Sequence, residues 1–68
     1  MIIRVRRTVD FNIEKEIKDV VKVGLNITSE NDYYSILTID GKIENRTYSI
    51  GKYVITVEDD VTVLQTNA

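Results

Sequence analysis

Nineteen of the 68 residues are Ile or Val, and only three are Leu. Branching at Cβ stiffens χ1 and suits a pleated surface better than a helix, so the chain is predisposed to β-structure. Seven Thr and four Tyr push the same way. At 7.8 kDa there is material for one core, so residues 1–68 are expected to form a single domain without a large substrate cleft. Cys, His, Trp and Pro are all missing from the sequence. That excludes disulfide staples, Cys/His zinc sites and Ser-His-Asp or Cys-His catalysis.

Hydrophobic spacing divides the chain. Residues 2–9 alternate, with Ile3, Val5 and Val9 on one side and Arg4 and Arg6 on the other, the period of a strand. Arg7 interrupts the apolar side, so the strand twists or ends there. Over residues 12–25 the apolar positions Ile13, Ile17, Val20, Val21, Gly24 and Leu25 follow spacings of 4, 3, 1, 3 and 1. This predicts an amphipathic helix capped by Asp10 or Asn12 and ending near Gly24 or Asn26. A second pattern runs through its latter half. Val21, Val23, Leu25 and Ile27 alternate with Lys22, Gly24, Asn26 and Thr28, which makes residues 21–28 a strand instead.

The remaining residues predict a four-strand antiparallel meander over 33–39, 43–50, 53–57 and 61–65. Asp40-Gly41-Lys42, Gly51-Lys52 and Glu58-Asp59-Asp60 are its turns. The expected fold class is therefore α+β, in the order β-α-β-β-β-β, with a small curled β-barrel carrying one helix as the alternative. The loop lengths pair Ile39 with Ile43, Tyr34 with Tyr48, Ile50 with Tyr53 and Tyr48 with Ile55. One face then holds Tyr34, Ile36, Tyr48, Ile50, Tyr53, Ile55, Val57, Val61 and Val63, enough for a core. The other holds Tyr33, Leu37, Ile39, Ile43, Val54 and Leu64 among Ser, Thr and Asn. One short helix cannot cover both faces, so the second face is expected to meet a partner or a second copy. Tyr33 is the leading contact candidate there, with large area and a hydroxyl for the rim.

Charge narrows the partner. The formal net charge is −2, yet Arg4, Arg6 and Arg7 place three cations in the first seven residues. An acidic chain cannot hold nucleic acid by bulk charge. Only this arginine strand could contact nucleic acid or an acidic partner, and edge charges that discourage sheet-to-sheet aggregation look the same. Glu58-Asp59-Asp60 reads as a solvated turn, because the spaced loop of a calcium site is missing. The three glycines form no phosphate loop. No cofactor or metal site is expected, and no catalytic residue.

No stretch reaches about 18 apolar residues, and Met1-Ile2-Ile3-Arg4 has no apolar run of signal-peptide length. The expectation is a soluble, cytoplasmic protein without a membrane segment. These features suggest a small non-enzymatic regulator or inhibitor that binds a protein by surface contact, as a homodimer or with a heterologous partner. By size, an accessory protein of a phage or mobile element fits. The alternative is a dimeric nucleic-acid-binding transcriptional regulator using the basic first strand.

Overall fold

Ile3 and Val5 are fully buried, and the strand that carries them holds the fold together. In the computed structural model, which describes residues 1–28 and 30–58, this is β1 (Ile3–Arg7). It is followed by β2 (Ile13–Ile17), β3 (Val20–Ile27), β4 (Asp32–Thr38), β5 (Ile43–Glu44) and β6 (Tyr53–Val57). The six strands form two antiparallel three-stranded sheets, in the orders β2-β1-β6 and β3-β4-β5. Both sheets and the buried Tyr48 supply one core of Ile3, Val5, Val20, Ile36 and Tyr48, with Ile17, Val23, Tyr34, Tyr53 and Ile55 packed against it.

The described residues contain no helix, which overturns the α+β expectation and its alternative, a barrel with one helix. Residues 13–27 instead form two strands, β2 in one sheet and β3 in the other. The corner between them is Lys18-Asp19, where Asp19 adopts φ 60°. A sandwich corner of this kind is made by a strand that bends out of one sheet into the next. Met1 spans the corner: its amino group donates to the Val20 carbonyl at 2.6 Å, and the Val20 N–H donates back to the Met1 carbonyl at 2.9 Å. The Asp19 carbonyl accepts from the Ile39 N–H at 2.8 Å, tying in the end of β4.

The helical spacing has a physical origin. A regular strand returns to the same face every two residues. Here Asp19 breaks that parity once, and an irregularity between Val20 and Lys22 in the pairing with β4 breaks it again. Ile17, Val20 and Val23 therefore all reach the core at intervals of three. Each β-bulge adds one residue and turns a period of two into three, which resembles one side of a helix.

The meander is also corrected. β4 and β5 pair, with Leu37 opposite Ile43 and Ile36 opposite Glu44, so the expected Ile39–Ile43 pair does not form. The Asp-Gly turn has the expected chemistry, with Gly41 at φ 87° and the Asp40 carboxylate accepting from the Thr38 hydroxyl and the Lys42 N–H. The expected strand 43–50 reduces to Ile43–Glu44 and a single bridge between Tyr33 and Ser49. Tyr34 does meet Tyr48, whose carbonyl accepts its N–H at 2.9 Å. β6 then leaves for the other sheet and pairs with β1, setting Val57, Ile55 and Tyr53 opposite Ile3, Val5 and Arg7. No Gly51-Lys52 hairpin joins Ile50 to Tyr53 or Tyr48 to Ile55. Pairing with β1 covers Ile3 and Val5, and β6 gains more from it than from a polar segment. The expected strand 61–65 lies outside the described residues.

Candidate protein-binding face

Alternation along β4 builds the candidate surface. Ile36 is buried, and Tyr34 packs against the core. Tyr33, Ser35 and Leu37 therefore stand on the opposite, outer face. Their partners across the pairing complete three rows: Lys22–Leu37–Ile43, Gly24–Ser35 and Asn26–Tyr33. The middle row is low, because a methyl group placed on Gly24 would meet nothing within 4 Å. A shallow depression results, lined on this face by Lys22, Gly24, Ser35, Leu37 and Ile43. Ile43 is 60% exposed beside it.

Three of the six expected contact residues meet on this face: Tyr33, Leu37 and Ile43. Ile39 lies in the turn after β4 and is 75% exposed. Val54 is displaced altogether: it sits opposite Arg6 on the other sheet, because β6 pairs with β1 rather than with the meander. Leu64 lies outside the described residues. Lys22, Gly24 and Asn26 belong to the face but were hidden by the helical spacing of their segment. The alternation of 21–28 was the signal that could have found them.

The arginine strand is arranged differently from a free basic patch. Ile3 and Val5 turn inward, so Arg4 and Arg6 share the outer face of the first sheet, as their alternation predicts. Each meets a carboxylate. Arg4 lies 3.3 Å from Glu16 and 3.6 Å from Glu58, and Arg6 lies 3.9 Å from Glu58. Arg7 lies 3.0 Å from Asp10. Arg6 also stacks over the Phe11 ring at 4.7 Å and donates to its carbonyl at 3.1 Å. Phe11 itself holds φ 61°, a conformation that bulky side chains rarely adopt. The Asn12 N–H, and after it the Arg7 guanidinium, keep the Asp10 carboxyl below its ordinary range. Val9, expected on the core side of the first strand, is instead exposed at this hairpin tip.

Burial, and then the charges of Glu44 and Glu14, push the Tyr48 phenol above its ordinary value of 10.0, away from a working range near neutrality. The Thr38 hydroxyl and the Lys42 N–H hold the Asp40 carboxyl down, fixing a turn. Among the described residues, no group of three or more acidic, His or Cys side chains could hold a metal ion. Among them, too, no helix is long and apolar enough to cross a membrane. No family model matches the chain, no curated protein matches it, and no solved structure matches it.

Proposed function

We propose that this chain is a non-enzymatic protein-binding module, a small regulator or inhibitor that acts by covering part of a partner protein. The supporting observation is the outer face of the second sheet, where Leu37 and Ile43 stand opposite each other and Tyr33 lies further along β4 on the same face. An apolar ridge next to a depression opened by Gly24 fits a bulky apolar side chain from a partner, with Lys22 at the rim. Among the described residues ten large hydrophobic side chains, Ile43 of this face included, are exposed against five buried ones. Nucleic-acid binding is the weaker alternative, because Arg4, Arg6 and Arg7 each already face a carboxylate. A cytoplasmic setting belongs to the proposal and suits a cysteine-free chain with 29% charged residues.

The test compares immobilised wild-type protein with Leu37→Glu. A protein species should bind wild type in a fixed ratio and be lost on the variant, while both share one far-ultraviolet circular dichroism spectrum. Capture that is equal on both, or that vanishes with nuclease and falls steeply with salt, would overturn the proposal.

A further inference from the structure

The outer edge of β3 points to a second copy of this chain. Within β4, Tyr34 donates its N–H to Tyr48, and Thr38 donates to Lys42. Residues 34, 36 and 38 thus direct their main-chain groups towards β5, and 33, 35 and 37 direct theirs towards β3. Their β3 partners Asn26, Gly24 and Lys22 point back at β4. It follows that the N–H and C=O groups of Val23, Leu25 and Ile27 point out of the sheet. Among the described residues they have no main-chain partner. Met1 covers the edge only at Val20. Edge strands are normally protected by charge, proline or bulges. On β3 the only charge is Lys22, and the irregularity lies between Val20 and Lys22, so the stretch from Val23 onward is bare.

We propose that β3 pairs antiparallel with the β3 of a second copy, about a two-fold axis at Leu25. This register sets Val23 opposite the partner's Ile27 and Leu25 opposite the partner's Leu25. All three outward-facing residues of each copy then find partners, whereas an axis at Gly24 would satisfy only two. The side chains agree with the register. Leu25 and Ile27 lie on the core side of the sheet yet remain 61% and 66% exposed, and pairing places apolar against apolar there. On the outer side, Gly24 meets the partner's Asn26. Charge agrees as well. Lys22 falls opposite the partner's uncharged Thr28, twice over by symmetry, so no like charges face each other across the seam. The two lysines stay six positions apart, about 20 Å.

The product is one six-stranded sheet with the Leu37–Ile43 faces of both copies on the same side, offering a partner two equal sites. Self-association itself rests on the edge and is independent of what that face binds. An edge contact of this length falls below the ~1,000 Å² of a permanent interface, so the dimer is reversible and depends on concentration.

Sedimentation over about 10 μM to 1 mM reads the outcome. The wild-type mass should rise from that of one 7.8 kDa chain towards twice that value. Leu25→Lys sets like charges together at the axis and should stay monomeric with an unchanged melt, whereas Leu37→Glu should still dimerise. Because the chain has no cysteine, L25C and K22C supply a second readout that needs no loss of association. A short bis-maleimide should link L25C into dimers and leave K22C unlinked. A wild type that remains monomeric throughout, a Leu25→Lys variant that dimerises as well as wild type, or equal linking at positions 22 and 25 would overturn the edge dimer. Loss of association in Leu37→Glu with normal association in Leu25→Lys would overturn it as well, placing self-contact on the outer face.

Discussion

Ile17 and Val20 stand three residues apart on consecutive strands, yet both pack into the same core, because Asp19 between them takes a left-handed backbone at φ 60°. Asp tolerates that conformation better than branched residues do, since its short polar side chain can bond locally. The corner therefore depends on what occupies position 19. Asp19→Val forces a β-branched residue into the left-handed region and should cost about 1–3 kcal/mol. Asp19→Gly fits the same backbone freely and should stay within roughly 1 kcal/mol of wild type. Urea unfolding midpoints of the two variants check this. Equal midpoints would remove the corner from the account.

The core and the apolar face of the once-expected helix make opposite demands. Ile36 is 2% exposed, and its truncation to Ala should cost about 2–4 kcal/mol, most of what a domain of this size commonly has. Ile13 belonged to the helical stripe but sits opposite Arg6 on an exposed face, so Ile13→Ala should cost under about 1 kcal/mol. Thermal melts of the pair distinguish a sandwich from a helix packed on a sheet. A larger loss at Ile13 than at Ile36 would favour the helix.

Alkaline stability should report on Tyr48. Its ring meets Tyr53 edge-on at 5.2 Å, and burial raises its pKa above 10.0. A folded-state pKa above the unfolded value means that the folded chain keeps a proton the unfolded chain releases. The stabilisation is complete below 10.0 and is lost as pH rises from there through the folded value. Tyr48→Phe removes the ionisation, so its melting temperature should fall less steeply than that of wild type above about pH 10. Parallel declines for the two proteins would show that Tyr48 ionises as freely folded as unfolded.

Much of the local chemistry was legible in the sequence. The alternation of β1, the bounds of β6 and the left-handed Gly41 follow from period-two patterning and turn residues. The route of the chain between sheets was not legible. Two parity breaks within residues 19–22 turned a strand into the likeness of a helix, and the signals against it were the alternation of residues 21–28 and the abundance of Ile and Val in that segment. The path of β6 was hidden for another reason. Ile50 and Tyr53 flank a convincing turn, but Ile3 and Val5 lie outside any hairpin with β6, and the gain from covering them appears only once β1 is placed beside it. That error carried Val54 into the expected binding face, while Tyr33, Leu37 and Ile43 stayed together because β4 and β5 do form a local hairpin.

The binding face is tested most directly by a photo-crosslinking scan. A photoreactive phenylalanine analogue is placed in turn at Leu37, at Ile43 and at Lys18, which is exposed at the corner between the sheets. Positions 37 and 43 should give one shared protein adduct, and position 18 none. Adducts of equal yield from all three positions, or an adduct from Lys18 alone, would contradict the assignment of the outer face of β4 and β5 as the binding surface.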